Sequence, residues 1–247
     1  MAPKQGASPY EPSILRARGE LSVSRFDEID LDGIRGVLEG VLDGPLPRWK
    51  QFTKHVERVD APPGTCVITE GSSATEIYLL LQGYVRLTTT NPQTGLARVS
   101  SVVEAGQIVG SVPGIQPSGL ADVLSFIPAY QPLREELAEG TSPYTGQALT
   151  ECVLARAPFA AVERLGDRHV RWAQLMIRQL YLYAMLHERA ERELLTLSPE
   201  QRYLRLLEQK PDLMDVMAKK DIASMMGITP ESMSRLRRRL RDRATAG

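Results

Sequence analysis
The chain has 247 residues, with 30 basic and 30 acidic side chains and no net formal charge, which excludes a uniformly basic nucleic-acid coat. An apolar fraction of 43% and a charged fraction of 24% fit a globular protein of one or two domains. The longest aliphatic and aromatic run, Ile77 to Leu81, is far below the ~18 residues that span a bilayer. Residues 1–19 lack the apolar stretch of a secretory signal. Cys66 and Cys152 are too few for a disulfide scaffold, and His55, His169 and His187 too few for a histidine-rich metal site. The expectation is a cytoplasmic protein with no membrane partner, no bound metal and no cofactor.

Residues 1–24 carry Pro3, Pro9, Pro12, Gly6 and Gly19 without a sustained period and read as a flexible arm, placed at 1–30 as a unit. Leu31, Ile34, Val37, Leu38, Val41 and Leu42 then follow a helical period up to Gly44 and Pro45, and a short helix fits 46–54. From about His55 the pattern turns to strands. Val67-Ile68, Ile77 to Leu81, Val85 to Thr90 and Val99 to Val103 are β-branched or apolar runs separated by Gly-, Pro- and Asn-containing turns. Short strands with regular turn signals imply a sandwich or barrel. Residues 113–146 interrupt this with five prolines, with a helical stretch from Leu120 to Ile127. Ala148 to Ala157 reads as one more strand, and Pro158 opens a helical region.

From Arg168 to Leu195 no Pro or Gly occurs in 28 residues. Ala173, Ile177, Leu180, Ala184 and His187 alternate at spacings of four and three, the seam of a coiled coil. Such a helix either packs on its own domain or pairs with a second copy, and its length favours pairing. Ser198, Pro199 and Gln201 then form a capping box for the next helix, which Lys210-Pro211 ends.

The region 219–247 carries a net charge of +5, leaving −5 for the rest, so an anion-binding surface is confined to this end. Within it, Ala223 is small where two helices must approach, and Gly227 supplies the positive φ of a tight turn. Thr229 caps the following helix and Pro230 suits its first position. At 100° per residue, Met233, Leu236 and Leu240 share one face, and Glu231, Ser234, Arg235 and Arg238 share the other. An acceptor, a hydroxyl and guanidinium forks are the groups that read base edges in the major groove. The bland alternative is that Glu231 and Arg235 are an ordinary i,i+4 surface pair.

The string from Asp221 to Arg235, with Glu-x-x-Ser-Arg at Glu231, Ser234 and Arg235, resembles the Crp/Fnr family of regulators. Leu79 to Leu87 and Gly106 to Gly110 are similar to that family's β-roll, and the long helix to its dimerisation helix. The resemblance implies an α+β fold over roughly 46–241. That fold has an N-terminal β-roll like a cyclic-nucleotide-binding jelly roll (31–160, with an insertion at 113–146). A dimerisation helix and hinge (161–197) and a C-terminal helix-turn-helix domain with little or no wing (198–247) follow. It implies a homodimeric transcription regulator, not an enzyme, on an inverted-repeat site in double-stranded DNA. Base contacts fall on Glu231, Ser234 and Arg235, and phosphate contacts on Lys219, Lys220, Thr229, Ser232, Arg237, Arg238, Arg239 and Arg241. The candidate dimer interface is Ala173, Ile177, Leu180, Ala184 and His187.

Three positions depart from the cyclic-nucleotide pattern. Gly110-Ser111 stands where binders have Gly-Glu, Ser142-Pro143 stands where they have Arg-Ser, and 113–146 is longer than their cassette. Without that arginine nothing obvious pairs a cyclic phosphate. A candidate effector pocket at Gly110, Ser111 and Ser142 is therefore expected to reject cyclic nucleotides. It would serve another small molecule, or none, with control by abundance or a protein partner. RNA polymerase is a further partner this reading allows. A haem held by a lone His55 or His169 stays open beside their reading as surface residues.

Overall fold
The computed structural model describes residues 20–117, 119–124 and 126–245. Most of the sequence-predicted arm, 1–19, lies outside the described residues. Its last part is corrected: Ser22–Ser24 forms strand β1, and helix α1 (Glu28–Leu42) starts two residues before residue 30. Asp27 caps α1 by accepting from the Asp30 amide, and Asp43, with φ 58°, closes its C-terminus in the left-handed region. A short α2 (Trp49–Thr53) follows.

Nine strands form two antiparallel sheets among the described residues. They are β1, β2 (Glu57–Ala61), β3 (Cys66–Ile68), β4 (Glu76–Gln82), β5 (Tyr84–Thr90), β6 (Ala97–Glu104), β7 (Ile108–Val109), β8 (Thr145–Ala148) and β9 (Cys152–Pro158). One sheet runs β1-β2-β9-β4-β7 and the other β3-β8-β5-β6. The predicted single strand over 148–157 is two strands: Leu149, Thr150 and Glu151 form the turn that carries the chain from one sheet to the other.

Strand alternation sets the inside of this roll. Val59, Ala61, Leu80, Val85, Leu87, Val103, Ala148 and Leu154 are buried together between the sheets. The outer face of the five-stranded sheet carries a second core. There Leu79, Ala155 and Ala157 meet Ile34, Leu38 and Leu42 of α1, Trp49 and Phe52 of α2, and Trp172 and Leu175 beyond. The insertion holds α3 (Leu120–Leu124), a 3-10 turn (Pro128–Tyr130) and α4 (Gln131–Glu139).

The long helical region breaks once. Helix α5 (Phe159–Arg168) is separated from α6 (Val170–Thr196) by His169, whose φ of −139° and ψ of 107° are extended. The first turns of α6 are docked on α1 and the segment after it. The Trp172 Nε1 donates to the Pro47 carbonyl at 2.8 Å, and Arg178 Nη1 donates to the Val41 carbonyl at 2.9 Å. Every residue from Tyr181 to Arg192 is exposed. Helix α7 (Pro199–Gln209) has the expected capping box between Ser198 and Gln201. Lys210-Pro211 ends α7 as expected and also starts α8 (Pro211–Val216), with the proline at a first-turn position where its missing N–H costs nothing. Helices α9 (Lys219–Met225) and α10 (Pro230–Thr245) complete the chain.

Candidate nucleic-acid interface
Helices α9 and α10 meet through the residues that the spacing singled out. Ala223 is fully buried at their crossing, and Gly227 turns the chain at φ 69°. The Ile228 amide closes the turn on the Ala223 carbonyl at 3.0 Å. Thr229 caps α10 by accepting from the Ser232 amide at 3.2 Å. Met233 and Leu236 lie in the core of this unit with Tyr203, Leu213, Met217, Ile222 and Met226.

The opposite face of α10 is open. Glu231, Ser234, Arg235 and Arg238 are all exposed, as are Lys219 and Lys220 at the start of α9. Arg235 Nη2 rests on Ser232 Oγ at 2.9 Å, which holds the guanidinium along the helix. The Glu231 carboxyl sits below its usual range because its own backbone amide and the Thr229 hydroxyl hydrogen-bond it, with Arg235 adding attraction. It is therefore a fixed anionic acceptor at neutral pH.

The basic side chains do not all point one way. Arg239 pairs with Glu200 of α7 at 3.5 Å, and Arg243 pairs with the same carboxylate at 2.7 Å. Of the expected phosphate contacts, Arg239 is thus engaged within the chain, Thr229 serves as a cap, and Ser232 holds Arg235. Arg237 is half-buried, while Arg238 and Arg241 are exposed.

Several residues that sequence reasoning passed over position this unit. Arg202 Nη1 donates to the Leu194 and Leu197 carbonyls at 3.1 and 2.7 Å, and its Nη2 to the Met226 carbonyl at 2.6 Å. One guanidinium thus ties the end of α6 to the α9–α10 turn. Asp221 is buried against Arg86 of β5, and Arg86 also donates to Gln147. The Ser224 hydroxyl accepts from the Val99 amide at 2.9 Å, covering the free edge of β6.

The expected seam of α6 divides. Ala173 is half-buried beside Gly166 of α5, whereas Ile177 and Leu180 are 66% and 62% exposed. Ala184 and His187 are also exposed, with His187 stacked on Tyr183 at 4.1 Å between centroids.

Gly110, Ser111 and Ser142 do come together at the neck of the insertion. Their polar groups are already used. Ser111 is fully buried and its Oγ donates to the Thr141 carbonyl at 3.2 Å; Ser142 Oγ donates to the Tyr144 carbonyl at 2.7 Å. The Tyr144 hydroxyl donates to the Gly110 carbonyl, and burial pushes its pKa up, so it stays a neutral donor. Gly114 has no room for a side chain, since a Cβ there would lie 2.2 Å from the Ala74 carbonyl oxygen. Among the described residues no cluster of three or more His, Cys, Asp or Glu is placed to hold a metal ion. No helix among them is long and apolar enough to cross a membrane.

No family model and no curated protein matches the chain. Solved structures do. A Crp/Fnr family putative transcriptional regulator from Eubacterium rectale superposes with a TM-score of 0.59 at 12% identity, covering 81% of this chain and 85% of that one. The c-di-GMP-responsive global regulator CLP of Xanthomonas campestris gives 0.57 at 18%, over 79% and 91%. FixK2 of Bradyrhizobium japonicum gives 0.55 at 17%, over 76% and 86%. At these identities the likeness is one of fold. The chain has the α+β architecture of these regulators, with a cyclic-nucleotide-binding-like β-roll and a helix-turn-helix.

Proposed function
We propose that this chain is a sequence-specific DNA-binding transcription regulator that acts as a homodimer on an inverted repeat. One observation carries the reading: α10 buries Met233 and Leu236 and leaves Glu231, Ser234, Arg235 and Arg238 together on its open face. Arg235 is matched to guanine O6 and N7, and Glu231 to a cytosine amino group. Lys219, Lys220, Arg238 and Arg241 hold phosphates, which makes binding fall steeply with salt. The apolar surface of α6 supports pairing with a second copy, because a helix ~40 Å long leaves Ile177, Leu180, Leu186 and Leu194 exposed. Two-fold symmetry then places two half-sites about one helical turn apart.

A second reading concerns control. The Ser111, Ser142 and Tyr144 hydroxyls are spent on backbone carbonyls where a small effector would be held. This favours a roll filled by its own side chains, and DNA binding that needs no added ligand. The test of both is gel-shift selection from random duplex DNA by the purified protein alone. Recovery of an inverted repeat supports both. Recovery only after a metabolite is added overturns the second reading and keeps the first. No selected site under any condition overturns the first.

A further inference from the structure
We propose that the contact of Arg86 with Asp221 is a releasable latch that seats the helix-turn-helix on the β-roll, and that strand β5 links the roll interior to it. Arg86 and Asp221 are positioning residues in this account. They are 135 positions apart, both nearly buried, and they join β5 to α9.

The pleat of β5 supplies the lever. Val85 and Leu87 point into the roll core, so Arg86 between them points out toward α9. Its register partner on β8 repeats the pattern. Ala148 faces inward, while Gln147 faces outward, takes the second Arg86 hydrogen bond, and donates to the Gly64 carbonyl at 2.7 Å. A register shift between Leu87 and Thr88 on the β6 side marks an irregularity one residue beyond Arg86, where strands bend most readily. Any change in how the roll interior is filled moves Val85 and Leu87, and with them the outward guanidinium. Tyr84, Val102 and Leu149 complete the seat by packing on the core of the helix-turn-helix unit, and Lys210 pairs with Glu104 at its rim.

The chemistry of the contact suits release. A buried ion pair gains little over two hydrated ions unless every hydrogen-bonding group is satisfied. Here the Arg86 Nε is buried and has no hydrogen-bond partner among the described residues. The seated state therefore carries an uncompensated donor, which hydration satisfies once the domains part. Removing one member of the pair strands the other as a buried charge and should open the seat. Replacing both by apolar groups removes the burial penalty and should keep it closed.

The experiment measures an interdomain distance without DNA. Spin labels go on the exposed native Cys66 of the roll and on a Glu208→Cys substitution in α7; Cys152 is buried and out of reach of the label. Labelled chains are diluted in an excess of unlabelled chains, so that pairing brings no second pair of labels together, and wild type should then give one short distance. Arg86→Met and Asp221→Asn should each add a longer population, raised at least about tenfold over wild type as expected for a stranded buried charge. The double variant Arg86→Met/Asp221→Leu should return to the short distance. Identical distributions in all four proteins overturn the latch. So does loss of the roll's far-UV circular dichroism and cooperative melting in the single variants, since the pair would then be part of the fold and not a releasable contact.

The link to DNA reading rests on the function proposed above and has its own readout. Affinity for the selected duplex should change in the single variants and recover in the double. Affinity unchanged while the distance shifts overturns that link. Absence of any DNA binding by wild type, with distances responding as expected, overturns the regulator reading and leaves the latch standing.

Discussion
Glu57 on β2 and Glu76 on β4 lie on the two strands that flank β9, and their pKa shifts differ in sign. The Arg156 guanidinium, 2.5 Å away, holds the Glu57 carboxyl below the ordinary range, whereas burial pushes Glu76 above it. A depressed carboxylate adds stability that is present above the unfolded pKa and lost as pH falls through the folded value; a raised one takes stability away once it ionises. Glu57→Gln is therefore expected to lower the urea midpoint at pH 7, and by less near pH 3. Glu76→Gln should raise the midpoint at pH 7 and lose that effect in acid. Urea titrations at both pH values check this, and equal shifts at both would contradict it. Residue chemistry was unevenly legible in the sequence. The open face of α10 could be read from angles alone, because its residues are neighbours on one helix. Arg86, Asp221 and Arg202 could not, because their partners lie far off in the chain and no local pattern marks them.

At the scale of elements, α6 carries the claim of pairing. Its first turns are spent on Pro47, Val41 and the α5 junction and its last turn on Arg202 and Arg205 of α7, while the stretch between exposes an apolar surface. Ile177 and Leu180 are more than 60% exposed, so changing them should not disturb the single chain. The double variant Ile177→Glu/Leu180→Glu is expected to sediment as a monomer at concentrations where wild type sediments as a dimer, with unchanged circular dichroism. A monomeric wild type would contradict the pairing. The periodicity of α6 is readable because helical spacing repeats; its separation from α5 is not, since His169, where the backbone is extended, is no helix breaker. The split between β8 and β9 is illegible in the sequence for a related reason. Leu149-Thr150-Glu151 has no turn-forming residue, yet Gly83 fits closely against Glu151 and Cys152 and holds that corner. Strand β1 was hidden by its three residues and by a short, exposed, Ser-rich composition.

For the whole molecule, charge and architecture agree. A neutral chain concentrates +5 in its last 29 residues, and that stretch holds α9 and α10, whose open face carries an acid and two arginines. The roll supplies the seat of that unit, α6 its expected path to a second copy, and Arg202 its tie to α6. The most direct measurement of the central claim is parallel selection from random duplex DNA by wild type and by Arg235→Ala. Wild type is predicted to enrich two symmetric half-sites with a fixed guanine in each. Arg235→Ala is predicted to relax that position, a loss of about 1–3 kcal/mol of discrimination, while the rest of the site persists weakly. Identical sites from both proteins, or none from either, would contradict the assignment of α10 as the reading helix.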